Sequence, residues 1–464
     1  MLTPASPISR RMLCRAGILT LACLAFAPAA ALARPSDDVR DLAKADLESA
    51  LDELDKKCGH FFKTKGVDWK KVRKEMKKLA GKVETESEHY ELLVTLLARL
   101  RDGHCAVKPG KDWPEGTALP YPESWKEQKV GAGLMFCKTG KKIYVRNSWS
   151  TAAAAGIKPG MEVLSVDGVK AAKWLDQLIE ETSERSSFST DHHARYGTWR
   201  WGFSKPPGTR VKFELKADKK SKRRTLTFDK AKTYMDGPAV TPEGTVWMGR
   251  SVRWGKSPAG NGYLHFRRID DDILSELDRA LTEMGPVPGM VVDFRSNSGG
   301  GVDHDALEAR FVPAGGKKLE RASRSALASA GSSPYGGPMV VIVDGSVVSA
   351  GETTSGMFKE DGRAYMIGES PTAGMSASKE TLQLPSGKFA LYISVRSNRS
   401  DFNGGKGIEG IGVEPHELVE YDPKELTEGI DSMIRHADEL LADFPQKEVS
   451  YDPKDFGWEK PEKK

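Results

Sequence analysis

The sequence predicts a multidomain protein of the α+β class, with a helical N-terminal region, a β module and an α/β domain. Apolar residues recur first at helical spacing, then in alternation, and finally in strands that alternate with helices. The chain of 464 residues is too long for one hydrophobic core at the usual domain size of roughly 100 to 200 residues. Its 39% apolar and 29% charged residues are typical of globular proteins, and no internal apolar run approaches the roughly 18 residues of a membrane span.

Residues 1–33 have the composition of a cleavable signal peptide. They carry three arginines within positions 10–15 and no acidic residue, and an apolar run follows at 16–26. The small residues of the Ala-Leu-Ala run at 31–33 fit the rule of signal peptidase, so we expect the mature chain to begin at Arg34. The sequence therefore predicts an exported protein, either periplasmic or secreted.

The export route stays open. Arg10 and Arg11 lie in a stretch that is similar to a twin-arginine signal, and a general-export signal with two arginines fits as well. A lipoprotein anchor at Cys23 is the third alternative, although the position three residues before it is Thr20 where leucine is usual.

The charge, motifs and cysteines of the mature chain bear on nucleic-acid binding, metal binding and disulfide formation. Without the three arginines of the signal, the formal net charge falls from +5 to +2, which gives no field that would attract nucleic acid. No CxxC, HExxH or His/acid cluster at metal-ligand spacing occurs, so we predict neither a metal nor another cofactor. Cys58, Cys105 and Cys137 allow at most one internal disulfide, and a Cys58–Cys105 bond is the candidate pairing.

Residues 34–110 are predicted to form the helical region. Apolar side chains recur at spacings of three and four over 39–54 and again over 90–100, and the pattern ends at Gly103. The four prolines of 106–125 predict an irregular connector.

Residues 126–232 are predicted to form the β module. A glycine-rich run at 131–134 precedes alternating strand residues, and the segments 211–215 and 224–228 are expected to pair as a closing hairpin.

Residues 233–420 are predicted to form the α/β domain. Short apolar strands are expected at 263–266, 290–294 and 339–343, with a helix at 273–284 between the first two. Residues 421–464 complete the chain with an amphipathic helix at 424–441 and a charged tail.

Ser349 is the candidate nucleophile, because it stands where the strand at 339–343 gives way to a helix. There it would meet the partial positive charge of the helix N-terminus, and the N–H of Ala350 could stabilise an oxyanion. Ser349 and Glu352 also make an S-x-x-E capping box, and this local pattern by itself favours a structural N-cap.

Longer motifs resemble peptidase family S41, the tail-specific (C-terminal processing) and tricorn-type serine proteases. They are DFRSNSGGG at 293–301, DGSVVSAGE at 344–352, Gly-Glu at 368–369 and EGIGVEP at 409–415, and the resemblance covers most of 90–420. It implies a nucleophilic Ser349 and a crotonase-like ββα-superhelix core. It also implies that Ala350 and a glycine of the loop at 299–300, either Gly299 or Gly300, supply the oxyanion donors.

The same resemblance implies a histidine base. Members of the Ser-Lys type carry a lysine in the turn where this chain has Met375. The tricorn-type subgroup uses a histidine in a DGH motif, which falls on His104, and a glutamate that falls on Glu409. Its pattern also has a serine directly before the histidine, where this chain has Gly103. Lys379 is the alternative base. An ordinary histidine base would act through a pKa near 6 to 7.

Part of the β module resembles a PDZ domain. The motif AGIKPGMEVLSVDG at 155–168 carries this likeness, together with Gly131, Ala132, Gly133 and Leu134. In PDZ domains such a loop offers backbone N–H groups to a peptide carboxylate, so these four residues are the predicted peptide-binding residues. A β-barrel module without a peptide partner is the alternative.

The sequence therefore predicts an exported serine endopeptidase that cleaves extended or unfolded polypeptides through an acyl-enzyme on Ser349. Polypeptide substrates are the expected partners, assembly into a homo-oligomer is compatible with the pattern, and no membrane span is expected. The alternative is a non-catalytic peptide- or ligand-binding protein on the same scaffold.

Overall fold

A computed structural model describes residues 37–443, apart from 218–219, 231–236, 316–317 and 322–323. The predicted signal at 1–33 and the charged C-terminal tail therefore lie outside the described residues. Among the helices that the structure describes, none combines the length and the apolar character needed to cross a membrane.

The described residues form helices and strands in the following order along the chain. The α-helices are α1 (Asp37–Phe62), α2 (Trp69–Ala80), α3 (Glu86–Arg99), α4 (Ser150–Ala154), α5 (Ala171–Ser183), α6 (Asp191–Gly197), α7 (Ile273–Met284), α8 (His304–Glu308), α9 (Ala350–Glu360), α10 (Phe402–Gly405), α11 (Pro423–Glu428) and α12 (Ser432–Asp443). The β-strands are β1 (Ala106–Pro109), β2 (Val130–Gly131), β3 (Leu134–Thr139), β4 (Lys142–Ser148), β5 (Glu162–Val166), β6 (Val169–Lys170), β7 (Ser204–Lys205), β8 (Arg210–Ala217), β9 (Lys220–Thr227), β10 (Val246–Trp247), β11 (Val252–Lys256), β12 (Gly262–Phe266), β13 (Met290–Asp293), β14 (Lys318–Leu319), β15 (Leu327–Ala328), β16 (Met339–Val343), β17 (Tyr365–Gly368), β18 (Ala377–Gln383), β19 (Phe389–Ser397) and β20 (Glu417–Leu418).

The N-terminal helices pack against strands from the far end of the chain. Helices α1 to α3 share one hydrophobic core with β1 and β19, which pair antiparallel, and β18 completes this three-stranded sheet. The prediction of an irregular connector is wrong for 106–109. Those four residues pair with Phe389–Tyr392, a partner that no local pattern could indicate. The pairing brings the loop between α3 and β1 beside the α/β domain.

The β module is an antiparallel sheet of order β3-β4-β5-β8-β9, with β6 on β5 and a separate β2–β7 pair. The predicted closing hairpin is confirmed, since β8 and β9 pair from Arg210 opposite Thr227 to Ala217 opposite Lys220. A core of its own, which includes the buried Phe136 and Phe213, lies under helix α5.

The α/β domain is built on a seven-stranded sheet of order β10-β11-β12-β13-β16-β17-β20. Strands β12 to β20 of that order run parallel, and the predicted helix at 273–284 is observed as α7. The single C-terminal helix predicted at 424–441 is wrong, because Gly429, with φ +76°, ends α11 before α12 begins.

A buried ion network fixes the carboxyl end of β13. The Arg295 guanidinium contacts the Asp293 carboxylate at 2.6 Å and that of Asp431 at 3.0 Å, and it also donates to the hydroxyl of Tyr421. Because Asp431 precedes α12, the C-terminal helix is tied to the strand end from which the glycine-rich loop 296–301 departs.

Candidate active site

Ser349 occupies a strained position between β16 and α9. Its φ of +55° lies in a region that non-glycine residues rarely adopt, so the surrounding contacts must hold it there. The Ser349 N–H donates to the carbonyl of Met375 at 3.2 Å and to the carboxylate of Glu352 at 3.0 Å. The contact with Glu352 is one half of the predicted capping box. Ser349 can therefore be the N-cap of α9 and the nucleophile at once.

Glu352 ties the start of α9 to the turn at 372–375. Its buried carboxylate accepts hydrogen bonds from the hydroxyl of Thr372 at 2.7 Å and from the N–H groups of Gly374 at 2.6 Å and Met375 at 2.9 Å, in addition to that of Ser349. Burial raises the pKa of Glu352 to about 7. The four hydrogen-bond donors act in the opposite direction, because they stabilise the ionised carboxylate. The sequence marked this residue only as a cap.

The glycine-rich loop packs directly on Ser349. A Cβ on Gly299, whose φ is +72°, would lie 2.8 Å from the Cβ of Ser349. The N–H of Gly299 donates to the side chain of Asn297 at 2.9 Å, whereas the N–H groups of Gly300 and Ala350 have no hydrogen-bond partner in the described chain. Of the predicted oxyanion donors, Gly300 and Ala350 are therefore the pair with N–H groups available to a ligand.

The His104 loop is held by side chains of the β module. The N–H of Asp102 donates to the hydroxyl of Ser187 at 2.7 Å, and that of Gly103 donates to Ser189 at 3.1 Å. The N–H of His104 donates back to the carboxylate of Asp102 at 2.9 Å. The segment before α6 thus positions the predicted base.

The same stretch reaches the other loops of the site. His192 bonds the carbonyl of Thr372 through Nε2 at 2.7 Å, and the hydroxyl of Tyr196 lies 2.7 Å from that of Ser296. His193 lies beside the His104 loop instead, where its Nδ1 accepts the N–H of Ser189 at 3.4 Å. No local sequence pattern indicates these contacts, because they join segments that are far apart along the chain.

Gly103 leaves no room for a side chain. A Cβ at this position would lie 2.7 Å from Sδ of Met375 and 2.8 Å from Cε1 of His193. The serine of the tricorn-type pattern would therefore meet the side chains of Met375 and His193 at this position.

A buried charge cluster lies next to His104. A nitrogen of His104 and carboxylate oxygens of Asp102 and Glu409 lie within 4.8 Å of one another. The ammonium of Lys65 lies 2.7 Å from Oε1 of Glu409 and 3.6 Å from Oδ2 of Asp102. The sequence spacing predicted no such cluster, since Lys65 follows α1 and Glu409 comes from a loop after β19.

The cluster perturbs the titration of its members. Burial lowers the pKa of His104 to about 4, and the charge of Lys379 adds to this effect. Burial, assisted by the charge of Asp102, raises the pKa of Glu409 to about 8. Burial alone would raise the pKa of Asp102, but Lys65 and the His104 N–H hold it below its ordinary value. At pH 7 the imidazole is therefore neutral and can accept a proton.

The structure brings the predicted nucleophile, base and glutamate into adjacent loops, but no hydrogen bond joins Ser349 to His104 within the described residues. Met375 lies between the two loops, since its carbonyl accepts the Ser349 N–H and its Sδ faces Gly103. Nδ1 of His104 and Oε2 of Glu409 are buried without a partner. Lys379, the alternative base, lies on β18 at a bulge in its pairing with β19.

The predicted peptide-binding residues are mostly packed inside the β module. Val130 and Gly131 pair with β7, Ala132 and Leu134 are buried, and the carbonyl of Gly133 accepts the N–H of Trp149 at 2.9 Å. Strand β3 stands at the end of this sheet and pairs there with β4 alone, and four of its six residues are buried.

The predicted Cys58–Cys105 disulfide is wrong in this structure. Cys58, Cys105 and Cys137 are all free thiols. The Sγ of Cys58 instead donates to the carbonyl of Ser394 at 3.3 Å, so it packs against the sheet as a small buried side chain.

Comparisons with known proteins find a family resemblance for part of the chain. Residues 260–419 match the model of peptidase family S41. A carboxyl-terminal-processing protease of Picosynechococcus sp. is 22% identical over 373 residues, which are 77% of this chain and 78% of that protein. The tricorn protease of Thermoplasma volcanium is 27% identical over 190 residues, or 40% of this chain but 18% of that protein.

A solved structure shares the mixed α/β multidomain fold. Mature CPAF complexed with lactacystin gives a TM-score of 0.62 at 13% identity, covering 87% of this chain and 98% of that one.

Proposed function

The chain contains a peptidase family S41 domain, and on that premise we propose that it is an exported serine endopeptidase whose nucleophile is Ser349 and whose base is His104. The observation that carries the proposal is the position of Ser349. It is held at φ +55° directly before α9, next to the N–H of Ala350 and packed against the glycine-rich loop at Gly299.

The chemistry follows from the site. The hydroxyl of Ser349 passes its proton to His104 while Oγ forms a bond to the scissile carbonyl carbon. The N–H groups of Ala350 and Gly300 stabilise the resulting oxyanion, each contributing about 3 kcal/mol. The peptide C–N bond then breaks as His104 returns the proton to the leaving amine, and water hydrolyses the acyl-enzyme. In its ionised form, Glu409 accepts the Nδ1–H of the imidazolium and orients the ring.

Two features support a relay that closes when a substrate binds. Nδ1 of His104 and Oε2 of Glu409 are both buried and unpartnered, and catalytic hydrogen bonds are often long before a substrate binds. The side chain of Met375 is partly exposed and flexible, so it can move from between the two loops.

The β module is the part of the chain that we assign to substrate capture as a PDZ-like unit. An extended polypeptide would pair with β3, the last strand of its sheet, which gives main-chain recognition without sequence selection. The buried state of Ala132 and Leu134 favours recognition by this edge over recognition by their side chains. Export through the signal at 1–33 is part of the same proposal.

An active-site serine probe tests the proposal. We expect the mature protein to be labelled and to cleave an unfolded polypeptide, and Ser349→Ala to lose both properties. Ser355→Ala, which changes a buried serine one turn and a half further along α9, is the control and should keep both.

The rival is a non-catalytic binding protein on the same scaffold. It predicts that the wild-type protein stays unlabelled while it binds the unfolded polypeptide. That combination would exclude the proposed peptidase.

A further inference from the structure

We propose that Lys65 is a positioning residue for the reaction: its ammonium holds the carboxylates of Asp102 and Glu409 together so that Glu409 can orient His104. This inference rests on the proposed function. It concerns a residue outside the S41-matched segment, on the loop that follows α1.

Lys65 is placed where a lysine is rarely found. It is 3% exposed, and its ammonium lies 4.9 Å from the centroid of the Phe61 ring. A buried ammonium requires nearby partners of opposite charge, and Lys65 has two carboxyl groups, Glu409 at 2.7 Å and Asp102 at 3.6 Å. Since both carboxylates are also at most 3% exposed, the three groups form one desolvated unit.

The geometry gives Lys65 a role beyond stability. It approaches Oε1 of Glu409 and leaves Oε2 without a partner, and Nδ1 of the neighbouring His104 is also unpartnered. The ammonium therefore fixes one carboxylate oxygen while the other remains available to the imidazole. Without that cation, Asp102 and Glu409 would repel each other, and the imidazolium would become their nearest counter-charge.

Other charged and titratable groups face this unit from several elements. Lys379 of β18 and His193 of α6 interact electrostatically with the His104 imidazole. Glu352 of α9 interacts with Glu409. The thiol of Cys105 interacts with Lys65, and that of Cys58 interacts with Asp102. None of these groups changes in a Lys65 variant, so a change in the titration of His104 reports on Lys65.

Lys65→Met removes the charge and keeps the chain length, and Lys65→Arg keeps the charge but cannot keep the ammonium position. Lys77→Met is the matched control, because Lys77 on α2 pairs with Glu48 at 2.8 Å on the surface. The titration of His104 is measured by NMR of labelled imidazole in the Ser349→Ala background, where it requires no activity. The kcat and KM on an unfolded polypeptide are measured with Ser349 present.

We expect Lys65→Met to raise the pKa of His104 by about one unit or more and to lower kcat about tenfold or more with little change in KM. Lys65→Arg should lower kcat while the His104 titration stays near that of the wild type. Lys77→Met should change neither.

A folded Lys65→Met protein with a wild-type His104 titration and a wild-type kcat would overturn the inference. A fall in kcat without any shift in the titration would also overturn it, by leaving Lys65 a purely structural role. If Lys65→Met does not fold, Lys65→Arg decides, and a wild-type kcat in that variant refutes the inference. Failure of the proposed function appears separately, as an unlabelled wild-type protein, and leaves the NMR result to decide the role of Lys65.

Discussion

A Cβ on Gly103 would lie 2.7 Å from Sδ of Met375, so the Met375 side chain packs where position 103 has no side chain. Gly103 directly precedes the predicted base, and Met375 stands where the Ser-Lys type has its lysine. The chain departs from two family patterns at these two positions. One packing contact joins the two positions, since the Met375 thioether occupies the space that a side chain at position 103 would need.

We predict that Gly103→Ala destabilises the fold by about 1 to 3 kcal/mol, because the added methyl group meets both Met375 and His193. Met375→Ala in the same chain should recover part of that loss, with a coupling of about 0.5 kcal/mol or more. Denaturant unfolding of the single and double variants measures both quantities.

Gly81→Ala is the control for this series. A Cβ at Gly81 meets nothing closer than 3.6 Å, and its φ of −64° suits any residue. Additive effects of Gly103→Ala and Met375→Ala would refute the complementary packing.

Elements defined by local pattern could be predicted from the sequence. Helix α7 and strand β16 occupy the predicted residues because their apolar periodicity and glycine or proline boundaries are local signals. Strand β1 could not be predicted, since its stability comes from pairing with β19 more than 250 residues away.

The candidate site also contains residues that the sequence could identify and residues that it could not. Ser349, His104 and Glu409 lie in motifs that resemble a known family, so their segments could be identified. Lys65 and Ser189 could not be, because a single lysine after a helix and a single serine in a long connection have no distinguishing pattern. Only the folded chain shows that Lys65 is buried against Glu409.

The carboxylate of Glu352 gives a second prediction. Glu352→Gln should destabilise the protein by about 1 to 3 kcal/mol and lower serine-probe labelling, because an amide nitrogen would face backbone N–H donors that now meet an oxygen. Thermal unfolding and the labelling rate measure the two effects. Glu283→Gln, an exposed change on α7, should affect neither. Full labelling of a stable Glu352→Gln protein would show that this carboxylate does not hold the nucleophile.

A third prediction concerns the glycine-rich loop. Gly299→Ala should lower kcat by about 10² to 10³, since its Cβ would displace Ser349 and its φ of +72° disfavours any side chain. Gly301→Ala should be mild, because a Cβ there meets nothing within 4 Å. Turnover kinetics distinguish the two variants, and equal losses would contradict a specific contact between Gly299 and Ser349.

The identity of the base gives a fourth prediction. His104→Ala and Ser349→Ala should each lower turnover by about 10⁴ to 10⁶, and the double variant should be scarcely worse, because the members of a relay act as a unit. Lys379→Ala should be mild. Near wild-type turnover by His104→Ala together with an inactive Lys379→Ala would reject the histidine base while leaving Ser349 as the nucleophile.

The last prediction is the pH dependence of serine-probe labelling. Because burial lowers the pKa of His104 to about 4, the imidazole loses its proton well below the 6 to 7 expected of an ordinary histidine, so labelling should rise with pH through a midpoint near 4. A second rise near pH 8 should follow, since burial raises the pKa of Glu409 to about 8 and only its ionised form is a strong acceptor for the His104 Nδ1–H. Glu409→Gln should remove the second rise and keep the first. Labelling rates from pH 3.5 to 9, on protein shown by circular dichroism to be folded at each pH, measure both steps. A single midpoint at or above 6.5 would mean that His104 titrates in contact with solvent, which would place it outside the buried cluster of Lys65, Asp102 and Glu409.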